Sequence, residues 1–171
     1  MIQRPVFPLF LTKKKNTFLN ISRKNSCTIK MKLQHIHLTV NAKVSPDFRE
    51  LTRTEAQRFV DVLLRDINMK PLGQLKWATA EDLEFPGESF VQMITTSHCS
   101  LHFFSDANEI YFDLYSCKSF DEKKVIMHLD RLFGLEEWHG ILYKRAVNEE
   151  TVIKKLGQEK IKQEMVMRIQ R

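Results

Sequence analysis

The chain is short of glycine and proline, with five of each in 171 residues, and the glycines are scattered. No glycine-rich loop is available to cradle a phosphate, and no G-x-S-x-G elbow presents a hydrolase serine. No apolar run approaches the roughly 20 residues needed to cross a bilayer, so no membrane association is expected. Cysteine is limited to Cys27, Cys99 and Cys117, an odd count without a C-x-x-C pair or a secretory signal. A disulfide framework is not expected on that pattern, and a reducing cytoplasm is the expected compartment. Acidic residues are missing from the start of the chain, where the first is Asp47.

That last gap explains the charge. The formal net charge is +6 and the pI about 9.3. Seven of the 27 basic residues (Arg4, Lys13, Lys14, Lys15, Arg23, Lys24 and Lys30) lie in positions 1–30. Taking them away leaves 20 basic residues against 21 acidic ones from Met31 onward. The body is near neutral and the basic character belongs to a tail, so nucleic-acid binding by the body is not expected. The tail reads as a transit peptide, a basic arm, or an extension ahead of a start at Met31. The last reading is favoured, since strand periodicity begins there. Three segments follow: a basic tail 1–30, a domain 31–147, and a charged C-terminal helix 148–171.

Within the domain, MKLQHIHLTV alternates Ile36, Leu38 and Val40 with His35, His37 and Thr39, as a strand does. NAKVSPDFREL follows as a loop. A helix is expected over 52–69, with Thr52 and Glu55 as a capping box and Ala56, Phe59, Val60, Leu63, Leu64 and Ile67 as its apolar face. PLGQLKWATA reads as a turn and a strand. SFVQMITT and HCSLHFF are strand-like runs meeting at Ser97, and EIYFDLYSC is a further strand. A second helix over 119–134 has Ser119 and Glu122 as a capping box, a stripe of Val125, Ile126, Leu129, Leu132 and Phe133, and Gly134 as its C-terminal cap. HGILYKRAV is a last strand. The order β-α-β-β-β-α-β-α with short turns predicts an α+β two-layer sandwich, a mainly antiparallel sheet with helices on one face.

The chemistry concentrates in Thr95-Thr96-Ser97-His98-Cys99-Ser100-Leu101-His102. His98 and His102 share a strand face but lie about 13 Å apart at a strand's rise, too far for one zinc ion, so no metal is expected. His35 and His37 read as hydrogen-bonded structural residues. A different chemistry suits a serine at a strained junction: attack on its own preceding carbonyl, an ester, and β-elimination that cuts the chain and leaves a pyruvoyl group. That needs a nearby base and groups that stabilise an oxyanion.

Ser97-His98, His102 five residues after Ser97, Cys117 twenty residues after it, and Ser89 eight before it form a fixed constellation. It resembles the bacterial-type S-adenosylmethionine decarboxylases over roughly Met31 to Arg145. The resemblance implies cleavage between Thr96 and Ser97, with Ser97 the precursor of the covalent pyruvoyl cofactor. It further implies His102 as the base of elimination, Ser89 as a helper in the acyl shift, and Cys117 as the acid that reprotonates the substrate's α-carbon. Asp106 stands at the ribose-contacting position and Phe85 at that of an adenine-stacking aromatic. The pyruvoyl ketone would hold the substrate amine as a Schiff base and act as an electron sink.

The resemblance also implies spermidine biosynthesis and a homodimer of processed protomers. The sequence departs from the family pattern at Thr96 (usually Glu), at Phe104-Ser105-Asp106 (usually Trp-Pro-Glu) and at Phe90 (usually Gly), as a divergent branch would. Two other functions remain open: pyruvoyl decarboxylation of arginine or ornithine, and an unprocessed homologue that binds without catalysis.

Overall fold

The alternation at Ile36 builds β1 (Ile36–Val44), which runs four residues into the expected loop and carries an irregularity between Ala42 and Val44. The computed structural model describes residues 34–48, 50–81, 86–145 and 152–157. After β1 come α1 (Arg53–Asp66), β2 (Lys76–Ala80), β3 (Gly87–Ile94), β4 (Ser97–Phe104), β5 (Glu109–Ser116), α2 (Glu122–Phe133), β6 (Leu135–Lys144) and β7 (Val152–Gly157). The strands form one antiparallel sheet in the order β2-β3-β4-β5-β1-β6-β7. Four strands separate the helices where the summed order had three. The runs meeting at Ser97 are two strands of a hairpin, turned at Thr95-Thr96.

Both helices cover the same face, so the expected two-layer α+β sandwich is the observed fold. Phe59 of α1 lies 6.3 Å from Phe90 and 6.2 Å from Phe112, while Phe133 of α2 lies 6.3 Å from Phe103, ring centre to ring centre. Truncating one of these core rings to alanine costs roughly 3–5 kcal/mol. All six apolar positions expected on α1 are buried. On α2 the buried set is Val125, Ile126, His128, Leu129 and Phe133, and Leu132 is only partly covered. His128 Nε2 meets Asp66 Oδ2 at 2.7 Å and pins the helices together. This hydrogen bond holds the Asp66 carboxyl below its usual range.

The capping box at Thr52 is present, with Glu55 N donating to the Thr52 hydroxyl and Thr52 N to the Glu55 carboxylate. The box expected at Ser119 is not. Asp121 is the N-cap, its carboxylate accepting from Lys123 N, because α2 begins three residues later than the pattern suggested. Gly134 closes α2 at φ 63°, a left-handed setting that glycine adopts without a Cβ penalty.

The C-terminal helix is corrected in its described part: Val152–Gly157 is a strand paired with β6. The charged residues expected on a helix lie here on an edge strand, where exposed Lys154 and Lys155 discourage further pairing. The remainder of 148–171, the tail 1–30 with Cys27, and Phe85 lie outside the described residues. Among the described residues no helix is long and apolar enough to cross a membrane.

Candidate active site

Strand register lays out the face that the helices leave open. Residues directly opposite one another in an antiparallel sheet share a face, and every second residue returns to it. One row of partners runs Ser89, His102, Tyr111, Asn41, His139. The next runs Val91, Ser100, Asp113, Thr39, Ile141, and the third Met93, His98, Tyr115, His37, Tyr143. The intervening residues, among them Phe90, Leu101, Phe112 and Val40, are buried under the helices. Ser89, Ser100, His102 and Asp113 therefore share one surface because of a period of two, while Ser97, in register with Ile94 and Ser116, falls on the other.

The first row joins two expected site residues. Ser89 Oγ and His102 Nδ1 share a hydrogen bond of 2.8 Å across β3 and β4. With the ring neutral and its proton on Nε2, the serine donates and Nδ1 is positioned to take its proton.

The expected cut lies at the other end of the same hairpin. Ser97 has φ 152°, a setting that costs a residue with a Cβ about 1–3 kcal/mol. The carbonyl oxygen of Thr96, on the bond where the cut is expected, accepts from the backbone N–H of Cys117 at 2.9 Å. The Cys117 carbonyl in turn accepts from Gln34 N at 3.1 Å, which ties the residue to the start of β1. Cys117 sits just beyond β5 and is half-buried. The Thr96 hydroxyl is turned to Met69 Sδ at 3.4 Å. Cys99 is fully buried and its thiol is pushed up to about 12 by desolvation, so it stays protonated and takes no part.

Not all the expected partners meet. Ser97 and His102 lie five positions apart on one strand, about 17 Å at a strand's rise, and an odd spacing puts them on opposite faces of a regular strand. Within one chain, His102 and Ser89 do not reach the Thr96–Ser97 bond. Asp106 and His102 do come together, lining a cavity of about 630 Å³ with Pro86, Phe104, Glu109 and Tyr111.

Two features of the surface join residues to which the sequence reading gave no site role. The first is the chain Lys43–Glu109–Tyr111 beside that cavity: Lys43 Nζ to Glu109 Oε1 at 2.8 Å, and Tyr111 O–H to Glu109 Oε2 at 2.8 Å. Alternation places Tyr111 on the face of His102 by register, and that signal would have found it. The second is the third row, close to Ser97. His37 donates from Nε2 to Asp113 at 3.0 Å and accepts at Nδ1 from the Tyr143 hydroxyl at 2.5 Å. Burial outweighs Asp113 and holds the His37 pKa below its usual 6.5. His35 Nδ1 meets the Tyr115 hydroxyl at 2.8 Å, and the Arg145 guanidinium lies over the Tyr115 ring at 4.8 Å. Both amino-terminal histidines are hydrogen-bonded, as expected.

No curated protein is significantly similar in sequence to the chain. The family model for S-adenosylmethionine decarboxylase matches residues 36–146, from the first residue of β1 to just past β6, and so includes Ser89, Ser97, His102 and Cys117. The chain belongs to the S-adenosylmethionine decarboxylase family.

Proposed function

We propose that the chain is a self-processing, pyruvoyl-dependent decarboxylase of S-adenosylmethionine, supplying the aminopropyl donor of spermidine synthesis. The observation that carries this reading is the Thr96–Ser97 junction, where a strained serine follows a carbonyl already bonded to the Cys117 N–H. Attack by Ser97 Oγ on the Thr96 carbonyl carbon puts negative charge on the oxygen which that N–H faces. Collapse breaks the Thr96–Ser97 C–N bond and leaves an ester with a free Ser97 amine. Loss of the Ser97 α-proton and departure of the Thr96 carboxylate give dehydroalanine. Its imine tautomer takes up water, releases ammonia and leaves pyruvoyl at position 97. Strain at Ser97 favours the step, since cutting releases it.

The junction fits the group that the family implies. Once formed, the pyruvoyl ketone supplies the electron sink for loss of CO₂ from the substrate. The chain's own residues do the rest. Cys117, beside the junction, holds a proton on Sγ for the substrate's α-carbon. Ser89 and His102 form a proton-transfer pair. Asp106 faces the ribose hydroxyls.

The separation of His102 from Ser97 supports a homodimer that pairs through the open face, so that Ser89 and His102 of one copy reach the Thr96–Ser97 turn at the end of the partner's β3–β4 hairpin. The apolar content of that face agrees. Val91, Met93, Tyr111, Ile141 and Ile153 are exposed there, Met93 to 51% and Ile153 to 61%. Water-facing apolar side chains in this number mark an interaction surface.

An intact mass of the expressed full chain tests the reading. Processing yields two polypeptides, the second starting at position 97 with a pyruvoyl mass. A single uncut chain after long incubation would leave the non-catalytic homologue as the answer. Release of labelled CO₂ from arginine or ornithine, with none from S-adenosylmethionine, would reassign the substrate.

A further inference from the structure

The segment between α1 and β2 closes over the turn where the cut is expected. As α1 ends, Met69 N donates to the Leu64 carbonyl at 2.7 Å, and Asn68 takes the left-handed setting at φ 56°. Gly73, at φ 73°, turns the chain again toward β2. Between these turns, residues 69–73 run along the end of the β3–β4 hairpin as a strap. Leu72 N donates to the Met93 carbonyl at 2.8 Å, Pro71 pairs with Ile94, and the Lys70 carbonyl accepts from Thr95 N at 3.0 Å. Met69 Sδ accepts from the Thr96 hydroxyl. The strap thus touches each residue from Met93 to Thr96, up to the edge of Ser97.

Gln92 locks this strap from inside. It is fully buried, on the sheet face that the helices cover. Its Nε2 lies 2.6 Å from the Met93 carbonyl oxygen and 3.4 Å from those of Leu72 and Gly73. Its Oε1 has no partner among the described residues. A buried amide with an unpaired oxygen is a poor core filler. Methionine has nearly the same length and shape without that oxygen. With methionine there, the Met93 oxygen keeps the Leu72 N–H, and exposed Leu72 and Gly73 turn to water. The amide therefore adds little to stability. What it adds is a fixed strap.

Two tethers then grip one peptide. The Cys117 N–H holds the Thr96 oxygen from the β5 side, and the strap holds the Thr95 N–H and the Thr96 hydroxyl from the other. Relaxing φ at Ser97 rotates the Thr96–Ser97 peptide and breaks one of these ties, so the strain stays at the junction.

We propose that Gln92 is a positioning residue for self-cleavage, which acts through the 69–73 strap to keep the Thr96–Ser97 peptide strained and so favours the ester over the amide. The inference rests on the processing reading above and deepens it.

Gln92→Met in the full chain separates positioning from stability. Its thermal midpoint equals or exceeds the parent's, while cutting, followed by intact mass, slows about tenfold, equivalent to about 1.4 kcal/mol of strain let go. Neutral hydroxylamine isolates the first step. It attacks the ester carbonyl, forms the Thr96 hydroxamate and releases Ser97 with its hydroxyl and amine, more slowly from the variant than from the parent. Hydrogen exchange reads the strap itself: on a Ser97→Ala background, Gln92→Met speeds exchange of the Thr95 amide about tenfold. Gln92→Leu repeats each measurement if methionine disturbs the core.

Equal cutting rates in the parent and both Gln92 variants would overturn the inference alone. So would unchanged exchange at Thr95, or slowing that merely follows a lowered midpoint. A parent that neither cuts nor yields to hydroxylamine would overturn the processing reading and this inference with it.

Discussion

The Cys117 N–H donates to the carbonyl oxygen of Thr96 at 2.9 Å, across the ends of the β3–β4 hairpin and β5. The contact is made by backbone and does not depend on the thiol. It separates a backbone task at residue 117, facing the Thr96 oxygen, from the acid role that the family resemblance implies for the Cys117 thiol.

Cys117→Ala therefore keeps the N–H and keeps cutting, while turnover of S-adenosylmethionine falls for want of the acid. Cys117→Pro removes the N–H. Loss of one oxyanion donor slows such a step about 100- to 1000-fold. The mass of each chain over time reads cutting, and CO₂ release from the cut alanine variant reads turnover. Equal cutting rates in the proline and parent chains would remove the Cys117 amide from the mechanism.

Sharing of the site between copies has its own test. Ser97→Ala chains have no nucleophile and His102→Ala chains no base, so neither cuts alone. Mixed after mild unfolding and refolding, they form hybrid dimers in which the Ser97→Ala copy lends His102 to its partner. Cleavage of the His102→Ala chain in the mixture, followed by mass, is the expected outcome. No cleavage in verified hybrids would mean that each chain uses its own base.

His37 predicts a pH dependence of stability. Burial lowers its pKa in the folded chain below the usual 6.5. The unfolded chain then binds the proton more readily, so stability is full above pH 6.5 and declines as pH falls through the folded value. Asp66, Glu55 and Glu109 have lowered carboxyl values and act in the same direction, but only below their usual 3.8 and 4.5. Between pH 7 and pH 5 thermal midpoints read the histidine, with Glu88, whose carboxyl burial raises above its usual 4.5, acting in the opposite direction at the acid end. His37→Gln is expected to flatten that part of the profile, and an unchanged slope would assign it to another group.

Gly87 is a constraint on the hairpin that carries Ser89. A Cβ there would overlap the backbone carbonyl of Phe103 on β4. Gly87→Ala must push the two strands apart, at a cost on the order of 1–3 kcal/mol. The thermal midpoint falls, and the Ser89–His102 hydrogen bond two residues away loosens with it. A midpoint equal to that of the parent would show that the strands yield freely.

Much of this was legible in the chain itself, for local reasons. A period of two sorted His98, Ser100 and His102 from Cys99, Leu101 and Phe103, and the buried residues follow that division. Helical spacing found the face of α1, because helix burial repeats within a few residues. The spacing of Ser89, Ser97, His102 and Cys117 pointed to the family that the domain match bears out.

Local pattern failed where a neighbour distant in sequence decided the outcome. Val152–Gly157 is a strand because β6 offers a free edge. Asp121 rather than Ser119 caps α2, since the turn after β5 uses up the residues between.

The sequence by itself determined which residues face which way and which family they fit, because alternation and spacing are properties of consecutive residues. Only the tertiary structure decided which of them meet. Register set Ser89 against His102, and the close of the sheet set Thr96 against Cys117. The rise of a strand, fixed by backbone geometry, then held His102 away from the serine five positions before it.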